Sequence, residues 1–179
     1  MTAGRDNRFL QLAEWLVECG RKAGADDIEA AVSESNHLEI DVRKGKIENL
    51  VRAVSTRLSF RVLKEQRNAV SGTSDLSKST LQQLVNRAVK RAELSEPDEF
   101  AGLPENPRTG VDPSALKLYD PEIKNISADI GIKMALETER LGQKDKRITN
   151  SLGASFESQE SRSFLANSKG FSGNYNETI

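Results

Sequence analysis

Three arginines and one threonine are the residues whose types and spacing invite a chemical role. Arg43, Arg57 and Arg61 fall on the polar positions of alternating stretches, next to apolar neighbours such as Val42, Leu58, Phe60 and Val62. A guanidinium presents N–H donors in a fixed fork and can grip a carboxylate through two of them. Such a row could hold the acidic groups of a peptide or a protein partner. The simpler reading is a solvated sheet face. Thr73 lies in the Gly72-Thr73-Ser74 turn, which could meet a ligand, although a turn leading into a helix cap accounts for it fully.

Other chemistry is sparsely supplied. There is one histidine, His37, and one cysteine, Cys19, too few for a His-rich metal site, and neither HExxH nor CxxC occurs. No GxxxxGK[ST] loop and no GxGxxG turn is present. His37 sits in a polar stretch and reads as a solvated turn residue. Cys19 sits on the apolar face of a helix and reads as a small buried hydrophobe. The sequence shows no catalytic constellation.

The elements that would position these residues follow from periodicity. Phe9, Leu12, Ala13, Leu16, Val17 and Cys19 make the stripe of a helix over 8–22, with Gly24 as its C-cap. Ile28, Ala30 and Val32 alternate with polar residues, as do Leu38, Ile40 and Val42, and then Leu58, Phe60 and Val62. The spacing predicts a strand over 28–33, a turn at 34–37 into a second strand ending near Arg43, a tight Lys44-Gly45 turn, strands over 47–54 and 58–63, and a short strand ending at Gly72. The 47–54 strand is apolar on both sides, which suits a central strand or one that crosses a partner surface. A second helix runs from Ser77 or Asp75 as cap to about Glu93, with Leu81, Leu84, Val85, Ala88, Val89 and Ala92 on one face. Arg87, Lys90 and Arg91 suit the negative end of its dipole.

Beyond it the composition shifts. Four of the five prolines fall between Pro97 and Pro113, marking an extended connector. A helix from Ser127 to Leu141 carries Ile126, Ile130, Met134 and Leu141 at rough helical spacing. Alternation from Ile148 to Phe156 and from Phe164 to Ser168 predicts late strands with a hairpin turn at 159–161. The expected fold class is α+β, a largely antiparallel sheet covered on one face by helices, with a second small strand group at the C-terminal end. The expected organisation is an N-terminal sheet-and-helix domain over 1–95, a connector over 96–121, and a helix plus the start of a second β region over 122–179. Tyr175–Ile179 brings neither helix cap nor polar tail, as if the chain were cut within a structure that continues.

Composition bounds the partners. The chain has 179 residues, 36% hydrophobic and 30% charged, with 26 basic and 27 acidic side chains interspersed. A net charge of −1 gives no basic stripe for nucleic acid. No apolar run reaches the roughly 20 residues that cross a bilayer, and MTAGRDNRFLQ lacks the apolar core of a secretory signal. One cysteine fits a reducing cytoplasm.

Several phrases, in their order and spacing, carry a family resemblance over almost the whole chain. They are GADDIEAAVSES, VRKGKIENL, LSFRVLKEQRNAVSGTSDLS, SEPDEFAGLP, YDPEI and the LANSKGFSG turn. Together they resemble the N-terminal half of the TldD/PmbA proteins, a metalloprotease family also described as modulators of DNA gyrase, and are closer to its PmbA (TldE) branch. The resemblance implies two related subunits that assemble into a peptidase trimming short or unfolded peptides. It places zinc on an HExxxH motif in the C-terminal half of the TldD-type subunit, which nothing here matches. This chain is then expected to be the non-catalytic N-terminal part of a PmbA/TldE-like subunit, without a cofactor of its own. Its expected partners are a TldD-type subunit or a second copy in a homodimer, and peptide substrate. An exposed sheet edge could take an extended peptide as an added strand. The alternative is a stand-alone interaction module regulating another protein such as DNA gyrase.

Overall fold

The alternation that marks the strands in sequence becomes the inward side of one antiparallel sheet. The computed structural model describes residues 3–105 and 113–179. In chain order the elements are α1 (Ala3–Lys22), β1 (Asp27–Arg43), β2 (Lys46–Lys64), β3 (Arg67–Thr73), α2 (Lys78–Leu94), α3 (Ala128–Gly142), β4 (Ala154–Asn167) and β5 (Ser172–Thr178), with single 3₁₀ turns at Pro113–Leu116 and Pro121–Asn125. The strands form an open five-stranded antiparallel sheet in the order β3-β2-β1-β4-β5, and with three helices the fold is α+β, as expected. The late strands expected as a separate group are strands of this same sheet. Among the described residues no helix is long and apolar enough to cross a membrane.

The residues divide into two compact units. The first comprises the described residues of Met1–Glu34, Thr56–Pro113 and Arg162–Tyr175. Its core joins Phe9, Ala13, Leu16 and Val17 of α1 to Ile28, Ala30 and Val32 of β1. Leu58, Phe60 and Val62 of β2, the α2 face Leu81, Val85, Ala88, Val89 and Ala92, and Phe164 and Ala166 of β4 complete it. Each large side chain buried there contributes about 1.5–3 kcal/mol of transfer free energy. The rings of Phe9 and Phe164 meet tilted at 52° with centroids 5.6 Å apart. Cys19 is buried in this core, and Gly24 ends α1 at φ +93°. At the start of α2, Ser77 takes the N-cap position without a side-chain cap bond. Asp75 instead accepts from the Ser77 amide at 2.9 Å and the Thr80 hydroxyl at 2.6 Å.

The second unit is Ser35–Ser55, Ser114–Ser161 and Asn176–Ile179. Its smaller core sets Leu38, Ile40 and Val42 of β1 against Ala135, with Ala128, Ile132, Leu136, Ala154 and Phe156 around them. Ser127 caps α3 by accepting from the Ile130 amide. The face α3 buries is not the Ile126/Ile130/Met134/Leu141 stripe; those four are exposed. Gly131, Ala135 and Glu139, four residues apart, turn inward instead. A Cβ on Gly131 would stand 2.7 Å from both Ile40 Cδ1 and Phe156 Cδ1, so the helix lies too close for anything larger. Small residues choose the buried side, and the bulky ones stay outside.

Three further expectations give way. The turn expected at 34–37 is absent, because β1 runs unbroken through it. Glu34 is ion-paired with Arg162, which holds the polar stretch extended, and His37 lies within the strand, 3.4 Å from Glu39. The strands expected over 47–54 and 58–63 are one strand, β2, since Ser55-Thr56-Arg57 holds no glycine or proline to break it. No hairpin turn forms at 159–161, and residues 148–153 are not strand; the reversal between β4 and β5 falls at 168–171, where Gly170 supplies φ +89°. The Lys44-Gly45 turn stands as expected, with φ +52° and +70°. Of the connector expected over 96–121, residues 106–112 lie outside the described residues.

Candidate functional site

The four residues singled out by sequence fall in different surroundings. Arg57, Arg61 and Thr73 belong to the first unit and Arg43 to the second. Arg61 donates through Nε to Glu29 at 2.8 Å and through Nη2 to the Gly102 carbonyl at 3.4 Å. Its guanidinium is already engaged, fastening β2 to β1 and to the connector. Arg57 lies over Gly72; a Cβ there would sit 3.3 Å from its Nε and Nη2. Thr73 stands opposite Leu58 in the β2–β3 ladder, and its hydroxyl oxygen accepts from the Asp75 amide at 3.0 Å, within the turn that leads to α2. Arg43 donates to the Ser151 carbonyl at 3.3 Å.

Sequence reasoning passed over the groups that finish the strand edges. An edge strand presents a row of unpaired backbone groups, a template for another chain unless covered. Along β3 and the turn before it, three successive outward carbonyls are taken. The Asp98 amide donates to Gln66 O at 2.7 Å, the Ser95 hydroxyl to Asn68 O at 3.1 Å, and Arg91 Nη2 to Val70 O at 2.9 Å. Arg91 thus reaches the strand in addition to complementing the helix end. At β5 the Thr178 amide donates to Leu118 O at 2.9 Å, and the Thr178 hydroxyl oxygen accepts from the Asp120 amide at 3.0 Å.

One edge is treated differently. β3 pairs with β2 only from Leu58 to Lys64. Among the described residues no strand lies on that side of residues 46–55 and no loop backbone bonds to them. Every residue of this half of β2 is exposed. Ile47, Leu50, Val51 and Val54 are 47%, 45%, 38% and 70% exposed, large apolar side chains on both faces of one strand. Lys46, Glu48 and Arg52 alternate among them. A long, apolar, uncovered edge is the kind of surface soluble proteins avoid unless something pairs with it.

The start of this strand is rigidly held. Glu139 is 5% exposed and accepts the Lys44 amide on Oε1 and the Gly45 amide on Oε2, each at 2.9 Å. These bonds, Gly45 first, hold its carboxyl below the ordinary carboxylate value, with a smaller contribution from Arg43. Glu139 lies four residues beyond Ala135 and eight beyond Gly131, a spacing that places all three on one helix face. In the same unit Asn36, Leu38, Arg52, Lys124, Ser158 and Glu160 are among the residues lining a recess of about 210 Å³, and Tyr119 donates to Glu160 at 3.1 Å. Among the described residues no group of three or more His, Cys, Asp or Glu side chains is placed to hold a metal ion.

Known proteins match this chain in sequence and in fold. The model of the PmbA/TldA metallopeptidase domain 1 matches residues 28–92, and that of the PmbA/TldA metallopeptidase central domain matches 121–179. The Metalloprotease PmbA homolog of Haemophilus influenzae is 32% identical over 172 residues, covering 96% of this chain and 38% of that protein. Among solved structures, a proposed modulator of DNA gyrase from Bacteroides thetaiotaomicron superposes with a TM-score of 0.82 at 23% identity, over 94% of this chain and 38% of that one. TldE of Thermococcus kodakarensis follows with 0.75 at 22% identity, over 93% and 37%. The chain therefore spans under two fifths of the length of each.

Proposed function

The chain belongs to the PmbA/TldD metallopeptidase family, and from that premise we propose that it is the non-catalytic N-terminal part of a PmbA/TldE-like subunit in a zinc-dependent peptidase assembly. Its task is association with a related subunit, a TldD-type chain or a second copy. The uncovered half of β2, with apolar side chains on both faces, is the observation that carries this reading. Peptide cleavage belongs to the assembly, with zinc on the TldD-type subunit. Arg57, whose guanidinium has no hydrogen bond or ion pair among the described residues, is offered to a carboxylate of the partner. The single cysteine, buried, supports a place in the reducing cytoplasm.

The test is reconstitution. The purified chain is expected to bind no stoichiometric zinc and cleave no peptide alone, and to co-elute with a TldD-type subunit that does both. Metal-dependent cleavage by the chain alone overturns the division of labour. Failure to associate with either a TldD-type subunit or itself overturns the subunit role.

A further inference from the structure

We propose that the open half of β2 pairs with the same segment of a second copy, antiparallel and centred on Leu50, joining two sheets edge to edge. The inference rests on the association role above and names its surface, partner and register. Two of the sheet's edges have backbone or side-chain donors and acceptors placed along them, at β3 and at β5. Among the described residues the third has none over residues 46–55, where an open backbone edge coincides with four exposed large aliphatic side chains.

Charge selects the occupant. Charged residues on an edge usually block association, and a run of one sign would do so here. Instead the signs alternate. Glu48 and Arg52 are four strand residues apart, roughly 13 Å at about 3.3 Å per residue, too far to pair within one chain. Among the described residues neither side chain has a hydrogen bond or ion pair. With a two-fold axis at Leu50, Glu48 of each copy stands opposite Arg52 of the other. Leu50 meets Leu50, Asn49 meets Val51, Ile47 meets Ala53, and Lys46 meets Val54. Directly opposed unlike charges favour a register and like charges oppose it. The segment is its own complement. A folded second copy also brings side chains beside both faces of β2, and at a net charge of −1 the copies have little long-range repulsion to overcome.

The test is a charge swap read by sedimentation equilibrium of the full chain, with far-UV circular dichroism confirming that each variant folds. The wild-type chain is expected to dimerise. Glu48→Arg and Arg52→Glu each set like charges opposite one another twice, and each is expected to weaken self-association by about tenfold. Mixing the two variants sets a chain with arginine at both positions against a chain with glutamate at both. Every facing pair is then unlike again, and dimers are expected to return. A chain that stays monomeric overturns the proposal, as does a dimer that ignores both substitutions or variants that fail to rescue each other. A chain that is monomeric alone yet co-elutes with a TldD-type subunit ends self-pairing while leaving the subunit role standing. Binding to neither ends both.

Discussion

Glu139 holds Gly45 by its backbone: Oε2 accepts the Gly45 amide at 2.9 Å while Oε1 takes the neighbouring Lys44 amide at the same distance. One carboxylate from α3 thereby fixes the turn from which the exposed half of β2 departs. A turn with positive φ at both central residues aims its two amides together, and a carboxylate with two oxygens is the side chain that fits both.

Stability is therefore expected to depend on acid in a particular way. The Glu139 carboxyl is held below its ordinary 4.5 by the amides of Gly45 and Lys44. A group whose folded value is depressed stabilises the fold above its unfolded value and loses that contribution as pH falls through the folded one. Thermal unfolding followed downward from about pH 5 is expected to show this loss, and Glu139→Gln, which can accept at only one of the two amides, is expected to flatten it. Amide exchange at Lys44 and Gly45 is expected to quicken in the same variant. Unchanged exchange there would refute the role.

Gly131 is expected to tolerate no side chain. Gly131→Ala sets a methyl 2.7 Å from Ile40 Cδ1 and Phe156 Cδ1, and overpacking of this kind costs about 1–3 kcal/mol even though alanine favours helix. Urea unfolding measures it. A variant more stable than wild type would mean that α3 can lift without loss.

Arg91 is expected to protect β3. Arg91→Ala uncovers Val70 O and frees the Ser71 hydroxyl, which Arg91 Nη2 also reaches at 2.6 Å. A loss of about 1 kcal/mol is expected, with faster amide exchange along β3 and greater aggregation on warming, since an outward carbonyl is exposed on an edge. Light scattering during a thermal ramp reads the second effect, and Arg91→Lys is expected to recover part of it.

Cys19 is expected to be inert while the chain is folded. Burial pushes its thiol above the ordinary 9.0, so little thiolate forms near neutrality and reagents cannot reach it. Alkylation is expected only at the rate of unfolding, and to become fast in denaturant. Stoichiometric labelling under native conditions would place Cys19 outside the core.

What the sequence disclosed and what it hid have separate physical causes. Ile28/Ala30/Val32, Leu38/Ile40/Val42 and Leu58/Phe60/Val62 are buried at the positions their alternation predicts, because period-two patterning is a local property of a half-buried strand. The α2 face and the Lys44-Gly45 turn were legible for the same reason. Glu34 to His37 was misread because Ser, Glu and Asn also favour turns, and what keeps them extended is Arg162, far away in the chain. The α3 stripe misled because the largest residues ordinarily mark the buried face, whereas here Gly131 lets Ile40 and Phe156 press against the helix. Of the candidate site, the two-sided apolar character of Ile47 to Val54 was visible. That its edge is open was not, since openness depends on where β3 stops pairing.

The covering of β3 has a consequence in time as well as in space. Arg91 and Ser95 lie only 21 and 27 residues beyond the carbonyls they occupy. A chain emerging from the ribosome delivers the guard for β3 almost as soon as the strand itself, so that edge is a template for strangers only briefly. Among the described residues that follow, no backbone group bonds along the half of β2 that lies before it, so that half still has an open edge after β3 has been closed.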